Sequence, residues 1–222
     1  IGDTEAFLHV PVHSSVSGKV VAIEKRPYPG GGMVQSVIIE SDGLDTLDEN
    51  IKPVGKLENL TADHIKSIMR EAGLVGMGGA TFPTHVKFSP PPDKKIDTII
   101  LNGAECEPYL TSDHRLMVEK PEDVVNGIKA MMKAVNVDKG YIAIEENKPD
   151  AIKAVTQATN GEENIKVVTL KVKYPQGAEK QLIKVCTGRE VPSGGLPMDI
   201  GVIVNNVGTA VALACAIDTG MP

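Results

Sequence analysis

Gly76-Met77-Gly78-Gly79-Ala80-Thr81-Phe82-Pro83-Thr84 sets three glycines within four positions, and such a loop can turn its backbone N–H groups toward an anion, phosphate above all. The usual dinucleotide fingerprint follows a strand and carries a further glycine. This loop follows a helical pattern and lacks that residue. It is therefore not an ordinary Rossmann loop, and a phosphate cradle and a plain turn are both open readings. A second polar set stands just after four β-rich runs: Asn102 to Pro108, Glu145-Glu146-Asn147, Tyr174 to Glu179, and Asn205-Asn206.

Other chemistry has little to work with. Cys106 lies between Glu105 and Glu107, whose charges raise a thiol pKa and suppress the thiolate. His9 and His13 are four apart in a β-rich segment, where that spacing does not bring side chains together as it does on a helix. They read as surface or core histidines. His64, His85 and His114 form no H-E-x-x-H motif, and Ser193-Gly194-Gly195 is no nucleophile elbow. Cys106, Cys186 and Cys215 form no C-x-x-C pair, so neither a disulfide framework nor an iron–sulfur cluster is read from them. No catalytic side chain and no metal site is assigned. Hydride transfer needs no protein nucleophile, because the cofactor carries the reactive atoms.

The elements that must position these groups follow from periodicity. Val16 to Ile23 and Val34 to Ile39 are β-branched runs separated by the Pro27 to Gly32 turn cluster, which predicts a small β module over residues 1–49. A polar, acidic stretch from Asp42 to Gly55 reads as a linker, and residues 50–222 form the second unit. There Thr61 caps a helix whose Ile65, Ile68, Met69 and Ala72 share a face until Gly73. Strands at Thr98–Leu101, Tyr141–Ile144, Ile165–Val172 and Gly201–Val204 alternate with helices opened by Pro121 and Pro149, one through Lys180–Val185, and one over Val207–Ile217. Four β–α units in series predict an α/β domain: a four-stranded, mostly parallel sheet with helices on both faces. In such sheets ligands bind outside the carboxyl ends of the strands, so the polar set should meet on one rim. Its carboxylates and amides suit ribose hydroxyls and flavin or nicotinamide edges, although polar residues also end strands for ordinary reasons.

The 222 residues, 41% apolar and 23% charged, are enough to bury a core. A net charge of −6 without a dense Lys/Arg block argues against nucleic acid as a partner. The most apolar stretch, Ile200 to Ile217, contains Asn205, Asn206 and Gly208 and is too short and polar to span a bilayer. Without an initiating Met or signal peptide, and with Gly220-Met221-Pro222 at the end, the chain is expected to be a piece of a longer protein.

Gly73-Leu74-Val75-Gly76-Met77-Gly78-Gly79-Ala80-Thr81-Phe82-Pro83-Thr84-His85-Val86-Lys87 and Leu101-Asn102-Gly103-Ala104-Glu105-Cys106-Glu107-Pro108-Tyr109-Leu110 resemble the C subunit of the Rnf ion-translocating electron-transport complex. Tyr174 to Gln181 and Asn205-Asn206-Val207-Gly208-Thr209 extend the resemblance over nearly all of Asn50 to Pro222. The β module resembles that subunit's barrel-sandwich region; it is also similar to a lipoyl or biotinyl carrier, but Lys19 after Gly18 reads as structural. The motifs are similar, too, to the FMN-binding subunit of respiratory complex I.

The resemblance implies a flavoprotein that moves hydride between NAD(H) and FMN at the cytoplasmic face of a bacterial membrane. It would be held there by the other Rnf subunits rather than by a segment of its own. It implies FMN contacts at Gly76, Gly78, Gly79, Lys87, Asn102, Glu105, Gly177, Asn205, Asn206 and Thr209, with Lys87 neutralising the phosphate. It implies NADH contacts at Phe82, Glu107 and Glu179. Two [4Fe-4S] clusters would accept the electrons outside these residues, and partner subunits would couple their flow to ion movement. Ala104 and Ala178 stand where the complex I pattern is acidic, implying weaker flavin binding. The alternatives are a flavin and iron–sulfur cobalamin reductase of propanediol utilisation and a structural platform with a degenerate nucleotide pocket.

Overall fold

The computed structural model describes residues 1–222. Two antiparallel strands, β1 (Gly18–Pro27) and β2 (Met33–Ser41), form a hairpin paired from Gly18 opposite Ser41 to Pro27 opposite Met33, with a register shift between Val20 and Ala22. Its apolar Val20, Ile23 and Val34 are exposed. The segment before it adds a bridge between Gly2 and Val12 and reaches the next unit through His13, whose Nε2 lies 2.8 Å from the Glu71 carbonyl.

The second sheet is parallel throughout, in the order β5 (Ile165–Leu170), β4 (Gly140–Glu145), β3 (Thr98–Gly103), β6 (Val202–Asn206). Side chains alternate across β3 with the two-residue period of a strand. Ile99 and Leu101 enter a large core with residues of α1 (Ala62–Glu71), α4 (Pro121–Ala134), α5 (Pro149–Ala158) and α7 (Val207–Thr219). Ile100 enters a smaller core on the opposite face with Leu182 and Ile183 of α6 (Glu179–Thr187). Both faces carry helices, as the alternation predicts, but unequally.

The helix ends obey their local chemistry. The Thr61 side chain accepts the His64 N–H, Pro121 and Pro149 open α4 and α5, and Gly73 follows α1 at φ +69°. A one-turn helix, α2 (Thr84–Lys87), follows the glycine loop. The sequence reading lacks that short turn and also a full helix, α3 (Ser112–Glu119). Met117 is its one buried residue, and its Thr111 N-cap makes no capping hydrogen bond, so neither periodicity nor a local cap announces it. The central helix contact is between α4 and α7, where a Cβ on Gly127 would lie 2.2 Å from the Ala210 carbonyl oxygen. Gly127→Val should therefore force the two helices apart. We expect a loss of about 3 kcal/mol or more in urea unfolding, against a change below about 1 kcal/mol for an exposed control such as Lys153→Ala.

Candidate functional site

The strand order 5-4-3-6 creates a crevice. From β3 the chain crosses to β4 and then β5 on one side, and returns to place β6 on the other. The carboxyl ends of β3 and β6 thus flank a topological switch point, the preferred ligand position in an open α/β sheet. Loops from three other parts of the chain close around it.

Asn102, near the end of β3, donates from Nδ2 to the Gly177 carbonyl at 2.9 Å and accepts the Ala104 N–H at 3.1 Å. The Gly177 N–H donates to Cys106 Sγ at 3.0 Å. The loop leading into α6 is therefore gripped at one residue through both halves of its peptide backbone. Burial raises the Cys106 pKa, with Glu145 and Glu107 adding to it. The direction is the one expected from the flanking glutamates, but the leading cause is burial, and Glu105 is not among the causes.

Glu105 is instead committed to α3. Its Oε1 accepts the Asp113 N–H at 3.0 Å and the Ser112 hydroxyl at 3.3 Å, and its Oε2 accepts the His114 N–H at 2.9 Å. A carboxylate at a helix N-terminus satisfies orphan donors and complements the helix dipole. Asp113, held in place by that cap, accepts the Asn206 Nδ2–H at 2.6 Å. Asn206 Oδ1 in turn caps α7 by accepting the Gly208 N–H at 2.7 Å. Burial raises the Asp113 pKa and Glu105 adds to it, against the lowering effect of the Asn206 hydrogen bond.

The glycine loop docks on this network. The Met77 N–H donates to Thr209 Oγ1 at 3.0 Å, and Gly78, at φ +70°, leaves only 3.1 Å between its ideal Cβ position and Asn206 Nδ2. The loop closes on itself through the Gly76 N–H, which donates to the Phe82 carbonyl at 2.9 Å. Beyond that closure the N–H groups of Gly78, Gly79 and Ala80 find no acceptor in the protein and are exposed. Lys87, on α2, donates from Nζ to the Val204 carbonyl and lies 3.6 Å from Glu179 Oε1. Burial pulls its pKa down and Glu179 opposes the shift. Amide donors in excess of acceptors, with a lysine at the neighbouring strand end, fit an anionic group such as the phosphate of FMN.

The structure thus brings together Gly76, Gly78, Asn206 and Thr209 in one contact network, Asn102 and Gly177 in a second, and Lys87 with Glu179 in a third. Gly79 extends the first. Phe82 is 43% exposed beside the loop, and Glu107 stands exposed at the outer edge. Asn205 is placed differently: it is 4% exposed, and its amide nitrogen faces the Met131 sulfur at 3.8 Å in the core, because neighbouring strand residues point to opposite faces. Sequence reasoning missed Asp113, whose helix had no visible pattern, and placed Glu145 on the ligand-facing rim, whereas its carboxyl is buried at the end of β4.

Residues 69–215 match the family described as the Nuo51 FMN-binding domain. The chain belongs to that family. Residues 1–44 match the RnfC barrel sandwich hybrid domain, in line with the resemblance read from the motifs. The whole chain is 59% identical to the C subunit of the Na(+)-translocating ferredoxin:NAD(+) oxidoreductase complex of Acetobacterium woodii, covering 50% of that protein. It is 53% identical to the C subunit of the proton-translocating ferredoxin:NAD(+) oxidoreductase complex of Clostridium ljungdahlii, covering 48% of it. With the C subunit of the ion-translocating oxidoreductase complex of Pseudomonas aeruginosa the figures are 41% and 28%. The chain spans about half the length of these relatives, or less. Among solved structures, an NAD+-reducing [NiFe]-hydrogenase in the H2-reduced state aligns with a TM-score of 0.62 at 25% identity, over 75% of this chain and 33% of that one. No helix here is long and apolar enough to cross a membrane.

The capping role of Glu105 is directly testable. Glu105→Ala should cost about 2 kcal/mol in chemical denaturation and release protection of the Asp113 and His114 amides from hydrogen exchange. Unchanged protection of both amides would show that α3 does not depend on this carboxylate.

Proposed function

We propose that this chain is the electron-input module of a membrane-associated ion-translocating oxidoreductase, holding FMN and exchanging hydride with NAD(H). The observation that carries the reading is the set of unpaired amides at Gly78, Gly79 and Ala80, seated on Asn206 and Thr209 at the switch point of the sheet. The family match and the names of the relatives support the same reading.

FMN, when bound, supplies the junction between a two-electron hydride donor and one-electron carriers. The residues of the chain bind and orient. The Gly76–Ala80 loop and Lys87 would hold the phosphate, with Lys87 exchanging part of its contact with Glu179 for it. Asn102, Glu105, Gly177, Asn206 and Thr209 would fix the walls against which the ring lies, and Asn205 would act from beneath through its backbone. Phe82, Glu107 and Glu179 would receive the nicotinamide nucleotide, by stacking and by accepting hydrogen bonds from its hydroxyl or amide groups. Electrons would pass to iron–sulfur clusters outside these residues. Partner subunits would supply ion translocation and attachment at the cytoplasmic face of the membrane.

The test is flavin retention and NADH-driven bleaching of the protein mixed with FMN. Wild type should retain the flavin. Lys87→Glu, which sets an anion against an anion, should weaken FMN binding by roughly a hundredfold or more, and Gly78→Trp should abolish it through the Asn206 contact. Equal behaviour of all three proteins would remove the assignment; a folded wild type that retains no flavin would favour a structural platform.

A further inference from the structure

Glu145 ends β4 with a side chain that is 1% exposed and with both carboxyl oxygens buried and lacking a hydrogen-bond partner. An ionised carboxylate demands several donors, and a buried acid denied them keeps its proton. The groups facing it pull in both directions. From the loop after β3 come Glu105, whose two oxygens are engaged by α3, and the Cys106 thiol, which Glu107 also influences. From the turn after β4 comes Lys148, which donates to Asn147 Oδ1 at 3.1 Å. Burial dominates and raises the Glu145 pKa; the Glu105 charge adds to it, while Lys148, the Cys106 thiol and the Glu105 N–H oppose it.

Cys106, which interacts with this carboxyl, accepts the Gly177 N–H on Sγ at 3.0 Å while Asn102 holds the Gly177 carbonyl at 2.9 Å. We infer that Glu145 is a proton-holding positioning residue, which through Cys106 fixes the Gly177 wall of the site. In its neutral form it sits next to the Cys106 thiol without a charge of its own. Loss of the proton places a second carboxylate beside Glu105 in a buried space, which draws in water and lifts the Ala104–Cys106 segment away from Gly177. The wall is then firm below the raised pKa of Glu145 and loosens as pH rises through it. The effect on FMN rests on the functional reading above; the proton and its coupling to Gly177 do not.

The decisive measurement is an NMR titration of the flavin-free protein with carboxyl-labelled glutamate and amide-labelled glycine. One carboxyl resonance, absent in Glu145→Gln, should titrate above the ordinary glutamate value of about 4.3. The Gly177 amide should shift with the same midpoint, and Cys106→Ala should remove that shift while the carboxyl still titrates. A Glu145 resonance that titrates at or below the ordinary glutamate value overturns the inference, and a Gly177 amide that ignores the titration overturns the coupling. With FMN added, affinity should fall about tenfold as pH rises through the same midpoint, and the fall should vanish in Glu145→Gln. An undiminished fall in that variant also counts against the inference. Failure to retain FMN at any pH sinks the functional reading while the flavin-free titration still decides this one.

Discussion

A carboxylate set at the positive end of a helix organises the candidate site. Glu105 satisfies the first N–H groups of α3 from a loop several residues upstream, so the end of β3 and the start of α3 are held at a fixed separation. Asp113 then has a defined position from which to accept the Asn206 amide, and Asn206 a defined position from which to cap α7 and bear on Gly78. Each link is an ordinary hydrogen bond of modest net worth. Their coupling matters more, because each fixes the donor or acceptor that the next one uses.

The sheet explains why the polar groups collect where they do. Its larger core lies under α1, α4, α5 and α7, whereas the opposite face is covered by α6 with a core of seven buried residues. An element with so little apolar burial needs other attachments. It receives them at its leading loop, where Asn102 and Cys106 hold Gly177, and at its first residue, where Glu179 meets Lys87. These polar clamps lie on the side of the sheet where the strands end. The residues that secure α6 therefore also wall the crevice, and the change in Lys87 pairing on anion binding would be felt at α6.

This arrangement separates two senses in which a residue belongs to a site. Asn102, Glu105 and Asn206 were singled out as groups facing a ligand, and in the structure their side chains are engaged with the protein itself. They shape the walls. The unpaired donors are main-chain amides of the glycine loop, and the buried acceptors without a partner include Glu145 and Gln176. The two kinds of vacancy differ in meaning. Exposed amides are open to an acceptor from outside the chain, while a buried carboxyl without donors points to a retained proton.

The amino-acid sequence alone determined the β–α alternation, the proline and threonine helix starts, the Gly73 stop and the separate amino-terminal hairpin, because apolar periodicity and capping act over a few residues. It also placed polar residues after every strand of the parallel sheet. Tertiary structure decided which strand ends become neighbours. Only the order 5-4-3-6 sets the β3 end against the β6 end, and only there do Asn206 and the glycine loop meet. Helix α3 lay beyond sequence reasoning because its cap comes from Glu105 rather than from the adjoining Thr111. Asn205 and Asn206 look equivalent in a linear reading, yet strand geometry sends one side chain into the core and the other to the rim. The state of Glu145 was equally hidden: whether a carboxyl is solvated or sealed depends on what folds over it, and that is decided by residues far away along the chain.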